Sequence, residues 1–136
     1  AACRQRLGDP PPEGYDLRGY LSPLADALAA CDLVVARSGG SVFEIASHGK
    51  PAILVPYPHA AADHQTSNAR WMVDAGAAIL VPDEQLTAAG LRAEVDRLLG
   101  DPDHLSSMAS ASAGLARVDA AERIAAEVLA AAGGAA

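Results

Sequence analysis

Short apolar runs, each closed by glycine or proline and followed by a helical stretch, recur through the first two thirds of the chain. Leu33 to Ala36, Pro51 to Val55 and Ala77 to Val81 are almost wholly apolar. Strands covered on both faces of a sheet read this way, whereas half-exposed strands alternate. Tyr15 to Tyr20 reads as a further short strand that Gly19 weakens. Ser22-Pro23 predicts a helix start, cap then proline, running through Leu24 and Leu28 to about Ala30. Ser41, with Glu44 three residues on, has capping-box spacing and predicts a helix that Gly49 ends. Asp63 is the predicted N-cap of a helix from His64 to about Ala75, stopped by Gly76. Thr87 caps a helix with Leu91, Val95, Leu98 and Leu99 on one face, and Asp101-Pro102 begins another. Asp119-x-x-Glu122 precedes a last helix through Leu129, with Ala131–Ala136 as a frayed tail. Residues 1–14, polar and then proline-rich, read as a loop or truncated start, and 15–136 as the domain.

Strands alternating with helices predict an α/β fold: a Rossmann-like parallel sheet with flanking helices. In such a sheet ligands bind at the carboxyl ends of the strands. The Arg37–Gly40 turn and the 56–64 loop both lie at that edge, so two loops point at one cleft.

Composition narrows the partners. With 136 residues there is one domain's worth of chain, and 51% hydrophobic content with 4% aromatics suits α/β packing better than a β-sandwich. A net charge of −7 without a Lys/Arg cluster argues against a nucleic-acid partner. Cys3 and Cys31 have neither disulfide nor metal spacing, which makes a reducing cytosol the default. No apolar run approaches the roughly 20 residues needed to span a bilayer.

The candidate chemistry lies in the two loops. Gly39 and Gly40 let a ligand approach the main chain, and a strand feeding a helix through them presents N–H groups to an anion such as phosphate. Glu44 has two readings: it returns a hydrogen bond to the cap at Ser41, or its carboxylate accepts both hydroxyls of a ribose. Arg37 either neutralises a diphosphate or pairs with Asp32 or another carboxylate. Gln65 has the donors and the acceptor to read sugar hydroxyls, and Asn68 and Arg70 face cleft or solvent. His48, His59 and His64 lack metal-ligand spacing, and no Gly-x-Ser-x-Gly elbow supplies a nucleophile.

Three segments appear in order: Ala36-Arg-Ser-Gly-Gly-Ser-Val-Phe-Glu-Ile45, Gly49-Lys-Pro-Ala-Ile-Leu-Val-Pro-Tyr-Pro-His-Ala60, and Ala62-Asp-His-Gln-Thr-Ser-Asn-Ala-Arg70 with Ala75-Gly-Ala77. Over about residues 15–130 the chain resembles the C-terminal, donor-binding half of the GT-B enzymes of glycosyltransferase family 28, among the peptidoglycan N-acetylglucosaminyltransferases. The resemblance implies transfer of GlcNAc from UDP-GlcNAc to undecaprenyl-diphospho-muramoyl-pentapeptide, inverting and metal-independent, with no cofactor. It assigns Glu44 to the ribose; Gly39, Gly40, Ser41 and Val42 to the diphosphate and sugar; and His64 and Gln65 to the GlcNAc hydroxyls. The turn between Arg37 and Glu44 is one residue shorter than the family's usual one. The resemblance places the general base and the lipid acceptor's site in an N-terminal domain outside this sequence, and the first part of this domain, with a Gly-Gly-Ser phosphate loop and the first strands of its sheet, is expected outside it too. That would leave an exposed sheet edge and a chain that binds donor without catalysing. Localisation by resemblance is cytoplasmic, peripheral on the inner face of the plasma membrane. A donor-binding subunit completed by a separate acceptor-binding chain, or another GT-B UDP-sugar enzyme, are the rival readings.

Overall fold

The computed structural model describes residues 2–8, 12–60 and 63–133. Along the chain lie α1 (Ala2–Leu7), α2 (Leu24–Ala30), β1 (Val34–Ala36), α3 (Ser41–Ser47), β2 (Ala52–Leu54), α4 (His64–Asp74), β3 (Ala78–Leu80), α5 (Ala88–Leu99), α6 (Pro102–Gly114) and α7 (Ala120–Gly133). The three strands form a parallel sheet in the order β1-β2-β3, with Val35 opposite Ile53 and Ile53 opposite Ile79. The α/β fold and each of the three strands follow the apolar runs, trimmed at their ends, but only β2 is buried throughout.

Alternation along the strands sorts the core into two layers. Ala52, Leu54 and Ala78 face α2, α3 and α4, packing with Leu28, Val42, Ile45, Ala69 and Met72. Ile53 and Ile79 face the other way, against Leu98 of α5 and Met108 of α6, with Leu91, Val95 and Leu105 around them. Covering both faces explains why β2 is entirely buried and reads as an unbroken apolar run. The cover is thinner over β1, whose Val35 is 45% exposed. Leu99 belongs to neither layer; predicted on the core face of α5, it is half exposed.

Local signals place most helix ends. Thr87 accepts from the Gly90 N–H and Asp101 from the His104 N–H, both at 3.0 Å, with Pro102 at the first helical position. Gly49 (φ 59°) and Gly76 (φ 78°) end α3 and α4 in the left-handed region. At the first, Gly49 N donates to Ala46 O and Lys50 N to Ile45 O; at the second, Gly76 N donates to Val73 O and Ala77 N to Met72 O. Both are Schellman closures, in which the left-handed residue turns two N–H groups back onto orphan carbonyls.

Several expectations need correction. Tyr15–Tyr20 is not a strand: Asp16 and Arg18 pair with each other at 2.7 Å on an exposed segment, and Tyr20 is 86% exposed. The Arg18 hydrogen bond also holds the Asp16 carboxyl below its usual value. Ala2–Leu7, within the predicted opening loop, forms a helix; residues 9–11 of that loop lie outside the described residues. Pro23 rather than Ser22 is the N-cap of α2, without a side-chain cap bond. The last helix continues past Leu129 to Gly133, so of the predicted frayed tail only residues 134–136 lie outside the described part.

Candidate functional site at the strand carboxyl ends

The capping box does not form. Gly40 is the N-cap of α3 and already has helical dihedrals, φ −59° and ψ −22°. Val42 N donates to Gly39 O and Phe43 N to Gly40 O, both at 3.2 Å, so a tight turn built on the glycines closes the first turn. Ser41 is therefore inside the helix, and Glu44 has no cap to return to. Its carboxylate is exposed and makes no hydrogen bond or ion pair among the described residues; only its backbone carbonyl is engaged, by His48 N and His48 Nδ1. A carbonyl only accepts, so that ring nitrogen carries the proton.

The two loops are tied together. Ser38, fully buried, donates its hydroxyl to Gln65 O at 2.7 Å, and Asn68 Nδ2 donates to Ser38 O at 3.0 Å. Burying a hydroxyl is costly unless it is bonded, so this pairing fixes the glycine turn against the first turn of α4. Gln65 Oε1 accepts from Tyr57 N at 3.0 Å, which directs its Nε2 toward the glycines: a Cβ on Gly39 would stand 3.9 Å from it. Phe43 of α3 and Trp71 of α4 meet with their rings tilted by 48° and 5.2 Å between centroids. Asp63 precedes α4 as predicted, in the left-handed region (φ 52°), but its carboxylate accepts from the Thr66 hydroxyl at 2.6 Å rather than capping the backbone. His64 is exposed on the same first turn.

Of the partners expected for it, Arg37 takes another carboxylate, Asp83, and not Asp32. Its Nη1 meets Val55 O at 3.3 Å, Pro56 O at 3.2 Å and the Asp83 carboxylate, while its Cζ lies 5.8 Å from the centre of the Tyr57 ring. Asp32, at the opposite end of β1, is not its counter-charge.

Gly39 and Gly40 of the turn, Ser41 at the start of α3, and His64 and Gln65 at the start of α4 thus lie on adjoining segments, with Glu44 one turn further along α3. Val42 differs: it is fully buried in the core and its N–H is committed to Gly39 O. An apolar groove of about 350 Å³ between α2 and β1, lined by Leu21, Leu24, Val35 and Ile45 among others, opens beside Ser41. Sequence reading missed this groove. It left Asn68 open, although its place one turn after Gln65 put both on one helical face. Among the described residues no group of three or more His, Cys, Asp or Glu could hold a metal ion. No helix among them is long and apolar enough to cross a membrane.

Fold and site together define an α/β domain in which a glycine turn and a polar helix start meet at the carboxyl ends of a parallel sheet, the edge at which such sheets take ligands. The chain belongs to the glycosyltransferase family 28 C-terminal domain family, whose model matches residues 4–124. It is 46% identical over 110 residues (80% of this chain) to the UDP-N-acetylglucosamine--N-acetylmuramyl-(pentapeptide) pyrophosphoryl-undecaprenol N-acetylglucosamine transferase of Chromohalobacter salexigens. It is also 46% identical over 118 residues (86% of this chain) to the transferase of that name from Rhodospirillum centenum. The crystal structure of Acinetobacter baumannii MurG superposes with a TM-score of 0.72 at 30% identity, covering 80% of this chain and 31% of that one. The sheet and its helices therefore match the C-terminal half of that GT-B enzyme. The chain spans only 30–31% of the length of those two curated relatives.

Proposed function

We propose that this chain is the donor-binding part of a hexosyltransferase that moves GlcNAc from UDP-GlcNAc to an undecaprenyl-diphospho-muramoyl-pentapeptide acceptor. The observation that carries the proposal is Glu44, a carboxylate left unpaired on a helix whose preceding turn is bonded directly to the polar start of α4. Two vicinal ribose hydroxyls fit one such carboxylate, which accepts at both oxygens. The diphosphate lies along Gly39, Gly40 and Ser41, where missing or small side chains let it reach the backbone. The GlcNAc is read by His64 and Gln65, and the base enters the apolar groove that opens beside Ser41. Val42 supports the turn from the core.

In the reaction the acceptor hydroxyl attacks the anomeric carbon of GlcNAc, the bond to the β-phosphate oxygen breaks, and UDP leaves. Hydrogen bonds to the diphosphate that strengthen as its charge grows would lower the barrier. The general base and the acceptor site belong to the portion of the relatives that this chain does not match. The assembled enzyme acts at the cytoplasmic face of the membrane, where a lipid-linked acceptor presents its head group.

Calorimetric titration of UDP-GlcNAc and UDP into the parent chain and into Glu44→Ala tests the proposal. Losing a charge-assisted pair of bonds to the ribose removes about 1.5–3 kcal/mol, roughly a tenfold to hundredfold loss of affinity for both ligands. With no bond inside the fold to lose, the variant should unfold within about 0.5 kcal/mol of the parent. Unchanged affinity in Glu44→Ala, or a folded parent that binds neither ligand, would refute it.

A further inference from the structure

We propose that Arg37 is a positioning residue that sets the orientation of Gln65, and that it is not a ligand of the diphosphate. The inference rests on the donor-binding reading above and adds to it how the sugar end of the site is held. Arg37 leaves the end of β1, crosses the end of β2 by meeting Val55 O and Pro56 O, and reaches Asp83 beyond β3. One side chain thereby braces the carboxyl ends of all three strands. The Asp83 carboxylate offsets its charge, so the guanidinium is already neutralised without a phosphate. The Tyr57 ring lies beside the guanidinium, with the centroid 5.8 Å from Cζ.

The braced segment carries the consequence. Tyr57 follows directly on Pro56, and its N–H donates to Gln65 Oε1 at 3.0 Å. A backbone N–H cannot accept, so the amide of Gln65 can stand only one way, with Oε1 on Tyr57 and Nε2 toward the glycine turn. Gln65 therefore meets the ligand chiefly as a donor, suited to an acceptor oxygen of the sugar. Ser38 and Asn68 hold the backbone of the same turn from the other side. A half-exposed ion pair contributes little to stability, so the effect of Arg37 lies in geometry.

Arg37→Lys and Asp83→Asn, each made in the full chain, provide two independent ways to loosen the brace. On the ligand-free protein, hydrogen exchange of the Tyr57 amide and the side-chain amide signals of Gln65 are followed by NMR. Both variants should raise Tyr57 exchange by about tenfold, as expected for a lost local restraint, and move the Gln65 signals, while amides of β1 to β3 keep their protection. Titrations with UDP and UDP-GlcNAc give the second readout. Positioning through Gln65 predicts that UDP affinity stays level and the extra affinity contributed by the sugar falls. It also predicts that the loss largely disappears when Gln65→Ala is already present. Equal losses for UDP and UDP-GlcNAc would make Arg37 a phosphate ligand and overturn the inference, as would unchanged Tyr57 exchange in both variants. A parent that binds neither nucleotide defeats the donor-binding reading alone, because the exchange experiment still decides whether the brace exists.

Discussion

Substituting alanine at the two helix-ending glycines separates the cost of backbone conformation from the cost of contact. Gly49 and Gly76 both lie at positive φ, 59° and 78°, and both close a Schellman turn. A left-handed alanine costs about 1–2 kcal/mol, and alanine's restriction of the unfolded chain returns about 0.4–1 kcal/mol. Around Gly76 a new Cβ meets nothing within 4 Å, so Gly76→Ala should lose about 1 kcal/mol. At Gly49 the new Cβ would stand 3.2 Å from Ala113 Cβ and 3.6 Å from Ala109 O, on the face of α6 that packs against α3. Two packed helices do not part without loss elsewhere, and overpacking of this kind adds about 1 kcal/mol or more. Gly49→Ala should therefore lose about 2 kcal/mol. In thermal unfolding followed by circular dichroism, with roughly 3 °C per kcal/mol for a domain of this size, the variants should melt about 6 and 3 °C below the parent. Combining Gly49→Ala with Ala113→Gly should recover about 1 kcal/mol relative to the sum of the single changes, since only their contact couples them. Equal losses at the two glycines, or strict additivity in the double variant, would refute the reasoning.

Other substitutions probe the core and the caps. Ile53, buried at the centre of β2 against Leu98 and Met108, should lose about 2–5 kcal/mol on change to alanine in urea unfolding, whereas half-exposed Val35→Ala should lose less than about 1 kcal/mol. Ser112 Oγ is buried and has no hydrogen-bond partner among the described residues. Ser112→Ala should therefore stabilise by about 1 kcal/mol, seen as a higher melting temperature with the ligand affinities unchanged. Asp101→Ala removes the bond to the His104 N–H and should lower stability by about 0.5–2 kcal/mol in the same denaturant series, with Asp101→Asn recovering most of it.

The division between what could be read along the chain and what could not follows the range of the interactions. Thr87, Asp101, Gly49 and Gly76 place helix ends from the sequence alone, because each closes hydrogen bonds within five residues and needs no distant partner. The apolar runs that became β1, β2 and β3 are equally legible, since strands lying between two helix layers admit few polar residues, although only β2 is buried throughout. A local rule failed at Ser41 and Glu44, where spacing suited a capping box but Gly40 entered the helix first. That failure freed the carboxylate, and only the folded turn reveals it. The partners of Arg37 lie 18, 19 and 46 residues away, and the sheet register decides which of its possible counter-charges it meets. Gln65 was visible as a polar residue at a helix start, but the direction of its amide depends on Tyr57 and on the brace across three strand ends. The sequence by itself determined the elements, their order and the residue types at the cleft. Tertiary structure decided which of those side chains are already engaged and which remain open to a ligand, because competing polar partners can be ranked only once the sheet has brought them together.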